Sequence, residues 1–316
     1  MPVHAVEGGW RWGNHGHVYR TKAEAERQAR AIYASGWRED AAQKKAKVAH
    51  HKAMKASPRA ETRYVRDLKG ILRGVHHFTE GAIKPFLEDL KEEPGLRHRR
   101  DASKDTVRSR VSGVLNHVIA GLKIHVAVHV GAAFDRMAFE VNKKNKAGLS
   151  LIGITPTSMG AEDVLKRARD ANIKLVEDAG RDYAEDVRAI FEDDENFGLS
   201  GLELQDKLWE LMEERGSVNE SRAALIAVDQ TLKTNAALTQ DRFKKAGIEK
   251  YTWSTSLDER VRPMHAALEG QAFSFDDPPE TNDDGETNNP GEDYRCRCLA
   301  IPLFEDEESE SESESE

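Results

Sequence analysis

The stretch YTWSTSLDERVRPMHAALEGQAFSF, residues 251–275, decides the fold of the C-terminal part of the chain. YTWSTS alternates aromatic and hydroxyl side chains, as a half-buried strand does, and QAFSF is a second strand candidate. Between them, DERVRPMHAALEG predicts a short helix with a glycine stop. After a long polar loop, YRCRCLAIPLF predicts a final strand. Residues 248–304 are therefore predicted to form a small α+β unit.

Two helical regions are predicted upstream of this unit. Residues 62–147 contain helices around residues 64–73 and 83–90 and then a long apolar stretch, and residues 148–247 form a helical arm or bundle. The second region opens with GLSLIGITPTSMG, which reads as an extended connector. It ends at Gly247, because glycine commonly stops helices. Within it, four apolar residues are spaced for one buried helical stripe: Leu175, Tyr183, Val187 and Ile190.

The long apolar stretch, VSGVLNHVIAGLKIHVAVHVGAAFDRMAFEV, contains His117, His125 and His129. The last two are four residues apart and so lie on one helical face, a spacing that could bind a metal. However, no glutamate lies between them to act as a base, and their neighbours are typical of a core. These features favour a packed or oligomeric helix, and Lys123 with the histidines argues against a membrane span.

The N-terminal residues 1–37 are predicted to form a hairpin followed by a helix. Thr21 and Glu24 have the spacing of a capping box, and Gly36 would end the helix. Residues 38–61 are Ala-, Lys- and His-rich without a clear apolar face, which predicts a basic linker. The hairpin is indicated by four apolar side chains that flank a Gly-Asn-His-Gly turn: Trp10, Trp12, Val18 and Tyr19.

The net charge of −9 is unevenly distributed along the 316 residues. The last twelve, EDEESESESESE, carry eight carboxylates and predict a disordered acidic tail over residues 305–316, so the remainder is near −1. Residues 1–60 contain twelve Lys or Arg and five Asp or Glu, about +7. This basic front suggests a nucleic-acid or acidic partner, and solvated helix faces are the alternative explanation.

No uninterrupted apolar run reaches the eighteen or so residues that span a bilayer, and the first residues lack the apolar stretch of a secretory signal. We therefore expect a soluble protein made in a cytosol.

Its two cysteines, Cys296 and Cys298, are too few for a disulfide framework and too close for an unstrained disulfide. In a reducing compartment they would be buried thiols or metal ligands.

A zinc site is one hypothesis for these cysteines, because thiolate and imidazole are ligands that zinc favours. His265, Cys296 and Cys298 supply three donors, and the fourth could be Asp258, Asp293 or water. A closed site would be structural, whereas an open one could activate water. The alternative is that the cysteines are small buried residues and that His265 lies on a helix surface.

These residues also closely resemble the C-terminal domain of the phage Mu protein F-like family of minor head proteins. The pattern is aromatic-x-Trp-x-Thr, Asp-x-Arg-Val-Arg-x-x-His, a glycine, Pro-Gly-Glu-Asp and Cys-Arg-Cys. It covers Trp253, Thr255, Asp258, Arg260, Val261, Arg262, His265, Gly270, Pro290, Gly291, Glu292, Asp293, Cys296, Arg297 and Cys298. The likeness extends more loosely upstream to about Ala171. Val228 and Asn289 depart from it, since many members have arginine and histidine there. If that histidine is the fourth metal ligand in those members, this chain must use another donor or bind metal weakly.

The resemblance implies a virion protein, present in few copies, that enters near the portal during head assembly and is associated with DNA packaging or ejection. Its implied partners are the portal, other capsid proteins and viral DNA. Its implied location is the phage head, after assembly in the host cytoplasm. It implies a structural protein rather than an enzyme, and the predicted long helices and basic front fit that role.

Two other functions fit some of the same residues. Asp258 and His265 beside an open Cys/His zinc site would suit a metal-dependent hydrolase or nuclease, although no clear general base is evident. A sequence-independent DNA-binding protein, centred on residues 11–110, would suit the basic front.

Overall fold

The computed structural model of the chain describes residues 3–6, 8–12, 18–24, 54–89, 100–155, 160–198, 201–256, 258 and 260–304. The fold is mainly α with a small α+β part at the C-terminal end, as the sequence predicts. The chain divides into two compact units. We call them the helical unit, Ser57–Val141 with Glu162–Thr231, and the terminal unit, Met1–Ala56 with Asn142–Ala161 and Leu232–Glu316.

Long helices account for most of the described residues. They are α1 (Pro58–Asp89), α2 (Arg100–Leu151), α3 (Glu162–Glu192) and α4 (Gly201–Lys245), with a 3-10 turn at Asp194–Gly198. The helix α1 begins with Pro58 after Ser57, whose hydroxyl accepts a hydrogen bond from the Ala60 amide at 3.3 Å. Proline at the first helical position and serine before it are both favoured at helix starts.

The helix α1 is continuous where two separate helices were predicted. The sequence GVHHFTEGA between the two predicted helices contains two glycines, which lower helix propensity. Val75, His76 and Thr79 from this segment are nevertheless buried. Tertiary packing therefore outweighs the local propensity and keeps the segment helical.

In the helical unit, the predicted stripe on α3 is mostly confirmed. Tyr183, Val187 and Ile190 are buried, but Leu175 is 38% exposed and its neighbour Val176 is buried instead. The Tyr183 hydroxyl lies 2.6 Å from Nδ1 of His76 on α1. The stripe is therefore displaced by one residue at its start, an offset that spacing alone does not resolve.

The apolar stretch of α2 has both a buried and an exposed side in the helical unit. Its buried side chains recur every three or four residues: Val111, Leu115, Val118, Leu122, Val126 and Val130. Ile124 is 73% exposed and Val128 is 60% exposed. His125 and His129 are also exposed, with ring centroids 4.3 Å apart. The pKa of His125 is lowered, first by partial desolvation of its ring and second by the charge of His129.

By length and composition alone, the segment Thr106–Leu151 could cross a bilayer, and 28% of its most apolar window is buried in the structure. Core helices of soluble proteins meet the same criterion, so this is weak evidence for a membrane segment. The absence of a membrane span therefore stays a prediction.

Within the terminal unit, α2 and α4 end in the same way. After α4, Gly247 adopts φ +76°, and the Ile248 amide bonds to the Phe243 carbonyl at 2.9 Å. After α2, Gly153 adopts φ +83°, and the Ile154 amide bonds to the Leu149 carbonyl at 3.0 Å. Both are Schellman endings, in which glycine tolerates the left-handed backbone. The Gly247 stop is thus confirmed, whereas the predicted connector opens with the last helical residues of α2.

The C-terminal sheet has the antiparallel order β5–β4–β6. The strand β4 (Lys250–Ser254) lies at its centre, β5 (Ala272–Ser274) pairs Phe273 with Tyr251, and β6 (Leu299–Pro302) pairs Ala300 with Trp253. The short helix α5 (Pro263–Ala267) lies between β4 and β5 in sequence. All four predicted elements are therefore present, although β6 is shorter than predicted.

The core of the terminal unit combines this sheet with residues from outside the predicted unit. It contains Met54, Leu149, Ile154, Phe243, Ile248, Tyr251, Trp253, Phe275, Cys296, Cys298 and Ala300. The first four come from before residue 248. A unit of under sixty residues has too small a core of its own, and the two helix ends enlarge it.

A separate three-stranded antiparallel sheet occupies the N-terminal miniature. Its strands are β1 (Val3–Val6), β2 (Gly9–Trp12) and β3 (Val18–Tyr19), of which β2 and β3 form the predicted hairpin. The capping box is confirmed, because the Thr21 amide donates to Glu24 at 3.1 Å and the Glu24 amide to Thr21 at 3.3 Å. The hairpin turn, the predicted helix end at Gly36, most of the linker 38–61 and the tail 305–316 lie outside the described residues.

Candidate metal centre

His265 is held at the centre of α5. The helix begins at Pro263, after Arg262 in an extended conformation, a position that suits the fixed φ of proline. Its third residue, His265, is only 2% exposed. The imidazole meets the fully buried indole of Trp253 edge to face, with ring centroids 5.5 Å apart and planes at 85°. The strand β4 thus supplies one wall of the site.

The cysteines lie in a turn that leads into β6, not on the strand itself. The Cys296 amide bonds to the carbonyl of Asp293 at 3.0 Å, and Arg295 adopts a φ of +51°. A left-handed residue interrupts the pleat of a strand, which explains why pairing starts only at Leu299. Cys296 and Cys298 are both buried and neither forms a disulfide. The prediction that they lie on the last strand was therefore wrong.

Three predicted ligands come together in the structure. Nδ1 of His265 lies 3.5 Å from Sγ of Cys296 and 3.6 Å from Sγ of Cys298. All three donor atoms lie within 4.8 Å of one another. The backbone amide of Cys298 also points at the Cys296 sulfur, at 3.4 Å. One imidazole nitrogen therefore faces two sulfurs at nearly equal distances.

Asp293 fixes the orientation of the imidazole. Its Oδ2 lies 3.1 Å from Nε2 of His265 and also accepts a hydrogen bond from Arg262. The Arg262 guanidinium in turn donates to the carbonyl of Tyr294. Because a carboxylate faces Nε2, a ring proton belongs there, and Nδ1 is the ring atom directed at the sulfurs. The spacing predicted Asp293 as a possible ligand, but it did not reveal this role or that of Arg262.

The pKa values in the cluster are perturbed by its close contacts. Hydrogen bonding from Cys298 and His265 lowers the pKa of Cys296. The pKa of Cys298 is raised, because its thiol bonds to the Cys296 sulfur and is buried. Burial opposes protonation of His265, but its bonds to Cys296 and Asp293 outweigh this and raise its pKa. The cluster therefore favours one thiolate beside an imidazole, and thiolate is the form of cysteine that binds metals.

Asp258 is not part of this cluster. Both its oxygens are bound by the Arg297 guanidinium, one of them at 2.6 Å, and the Arg260 amide donates to it at 3.1 Å. The Arg297 bonds lower the pKa of the Asp258 carboxyl below its ordinary value. This carboxylate therefore pairs with a cation and does not lie beside the sulfurs.

We expect Arg297→Gln to weaken folding of the terminal unit at pH 7 by about 1 kcal/mol, because a partly exposed bidentate ion pair is lost. A carboxyl group with a lowered folded-state pKa stabilises the fold above its unfolded pKa. That contribution declines as the pH falls below about 4. The difference in melting temperature between Arg297→Gln and the unchanged chain should therefore become smaller as the pH is lowered from 7 to 3.

Arg260→Gln is the matched control, because the Arg260 side chain is 74% exposed. Its side-chain contact with Asp258, at 3.4 Å, is longer than the 2.6 Å contact of Arg297. It should change stability by a few tenths of a kcal/mol. A deficit in Arg297→Gln that stayed constant from pH 7 to pH 3 would assign the effect to packing instead of charge.

The remaining motif residues shape the backbone around the site. Gly270 adopts φ +80° after α5, and its amide bonds to the Trp253 carbonyl at 2.8 Å. Gly291 adopts φ +91° and Pro290 beside it is buried. Asn289, which replaces the histidine of many family members, is buried and donates its side-chain amide to the Phe275 carbonyl at 3.3 Å. These residues build the turns that carry the cluster.

Comparison with known proteins confirms the resemblance in the C-terminal region. Residues 198–301 match the family model described as Phage Mu protein F like protein. The chain is also 29% identical over 273 residues to an "Uncharacterized protein" of Haemophilus influenzae. That alignment covers 83% of this chain and 57% of the relative, so the chain spans little more than half of the relative's length. No solved structure matches the chain.

Proposed function

We propose that this chain is a phage minor head protein that acts in head morphogenesis, associates with the portal and takes part in DNA packaging or ejection. The observation that carries the proposal is the match of residues 198–301 to the Phage Mu protein F like family. That match covers all of α4 and all but the last residue of the C-terminal sheet. The portal, the capsid proteins and viral DNA are the proposed partners, and the phage head is the proposed location.

The exposed side of α2 supports a role in protein assembly. Ile124 and Val128 are four residues apart and therefore lie on one face, and both are more than half exposed. Phe139, eleven residues further along, is 66% exposed. Apolar side chains grouped on a helix surface are typical of protein contact sites. We assign this face to a contact with a portal or capsid protein.

The hydrolase alternative has less support. It requires Asp258 beside a metal, whereas both oxygens of Asp258 bind Arg297. The DNA-binding alternative rests on the basic front, of which residues 25–53 lie outside the described part of the chain. We therefore propose a structural protein without enzymatic activity, and DNA contact as a secondary property of it.

The proposal predicts that the chain copurifies with phage heads. Mass spectrometry of heads purified from a producing strain should detect it at far fewer copies than the major capsid protein. Changing Ile124 and Val128 together to glutamine should reduce incorporation several-fold, because the apolar contact is lost. Stability should change by less than about 0.5 kcal/mol, since glutamine suits an exposed helix position.

The matched control changes Lys166 and Lys174, both exposed on α3, to glutamine. It should enter heads like the unchanged chain. If purified heads lacked the unchanged chain, the proposed function would be wrong. If both double variants were incorporated normally, the assignment of the α2 face would fail while the proposed function stood.

A further inference from the structure

We infer that His265, Cys296 and Cys298 bind a zinc ion that fastens α5 to the turn before β6. All three residues are at most 5% exposed, and their donor atoms already converge. His265 is close to the two cysteines in space, although it precedes them by 31 and 33 residues in sequence, across the long polar loop. This inference does not depend on whether the chain enters a phage head.

The distances fit a tetrahedral zinc site. With zinc about 2.3 Å from sulfur and about 2.0 Å from nitrogen, a tetrahedral angle places the two ligand atoms about 3.5 Å apart. The Nδ1 of His265 lies 3.5 Å and 3.6 Å from the two sulfurs. A hydrogen bond would favour one sulfur, because the imidazole nitrogen carries one proton or one lone pair. The near equality of the distances is what two edges of one coordination polyhedron require.

The surrounding contacts are those that support zinc ligands. Metal-binding histidines almost always donate their second ring N–H to a carboxylate or carbonyl, and here Asp293 accepts it. Asp293 is itself held by Arg262, so the ring orientation is fixed from behind. The Cys298 amide directed at the Cys296 sulfur would stabilise thiolate charge. The protein thus supplies three donors and a prepared outer shell, and a fourth position completes the tetrahedron.

Zinc would have a structural task in this place. The loop from β5 to the cysteines is long and polar, and the sheet it closes has only three short strands. A zinc ion on His265 and the two sulfurs would tie α5 to the C-terminal end of this loop and would stabilise the folded state by binding to it alone. Removing it should therefore lower the melting temperature of the terminal unit.

The test uses the full chain, purified without a polyhistidine tag and dialysed against metal-free buffer. We expect about one zinc per chain by elemental analysis. Replacing zinc with cobalt(II) should produce the near-ultraviolet absorption of thiolate-to-cobalt charge transfer, which reports sulfur ligation directly. Cys296→Ser and Cys298→Ser should each weaken this absorption, because one thiolate ligand remains, and the double variant should lose it. Asp293→Asn should retain it with 10- to 100-fold weaker binding.

His77→Gln is the control, because His77, His76 and Glu80 form another group that could attract a metal. It should leave the cobalt absorption unchanged. The inference is overturned if the unchanged, folded chain binds cobalt without thiolate absorption. It is also overturned if saturating zinc leaves the rate at which a thiol reagent modifies the two cysteines unchanged. Neither measurement depends on a variant that could fail to fold.

Discussion

Replacing Trp253 with alanine is expected to destabilise the terminal unit by about 4 kcal/mol, because large-to-small changes of fully buried tryptophan leave a cavity. Trp253 is completely buried at the centre of the core, on the middle strand of the sheet. Its ring contacts His265 and Phe273 edge to face, with centroids 5.5 Å and 6.4 Å away. The substitution removes both contacts, so the wall behind the imidazole is lost as well.

Hydrogen exchange is the measurement that suits this change, because the chain has two units and its unfolding need not be two-state. Amides of β4 and β6 that exchange through unfolding of the sheet should exchange about a thousandfold faster, since each 1.4 kcal/mol is a factor of ten. Amides in the middle of α3, which belongs to the helical unit, should keep their protection.

Trp209→Ala is the matched control. Trp209 is half-buried on the part of α4 that belongs to the helical unit. It removes the same side chain without touching the core around β4, so protection of β4 and β6 should be retained. Unchanged exchange of β4 in Trp253→Ala would show that the indole contributes little to this core.

The types of the elements in the C-terminal sheet and of α5 could be predicted because local signals agree there. Alternating side chains mark β4, proline and glycine delimit α5, and Gly247 ends α4. Each of these signals acts within a few residues, so it can be read without knowing the tertiary contacts. The predicted start of β6 was wrong because no such local signal exists there. The residue types of YRCRC do not indicate that Arg295 adopts a positive φ.

The core of the terminal unit could not be predicted in full, because part of it comes from distant segments. Met54 and Leu149 pack in the same cluster as Trp253, although they precede it by about a hundred residues or more. A buried polar group joins α4 to the end of α2 in this unit, with the Arg242 guanidinium bound by the side-chain oxygens of Asn142 and Asn145. No periodicity within one helix reveals which partner a buried arginine meets.

The candidate metal centre could likewise be predicted only in part from the sequence. Residue types alone selected His265, Cys296 and Cys298, because imidazole and thiolate suit zinc. They did not separate Asp258 from Asp293, since Asp258 lies close to His265 in sequence and Asp293 lies close to the cysteines. The structure distinguishes them by their cations: Arg297 binds Asp258, and Arg262 holds Asp293 against the imidazole. Such pairings depend on the path of the backbone through the turns.

Gly291→Ala, in one of those turns, is expected to have the second large effect on the stability of the terminal unit. Gly291 has φ +91°, and an added Cβ would lie 2.6 Å from the Cβ of Ala236 on α4. The left-handed backbone costs an alanine about 1 kcal/mol, and overpacking against a methyl group fixed to a helix adds about 2 kcal/mol. We therefore expect a loss of about 3 kcal/mol in the stability of the terminal unit, measured by hydrogen exchange of β6.

Gly285→Ala separates the two causes. Gly285 has φ +76°, and an added Cβ would meet no atom within 4 Å. It should cost only the backbone term, about 1 kcal/mol. The difference between the variants then measures how closely the Pro-Gly-Glu-Asp turn packs on α4, next to the turn that presents the cysteines. If both variants lost the same stability, the turn would have room to move away from α4, and the helix could not be what holds the cysteines in place.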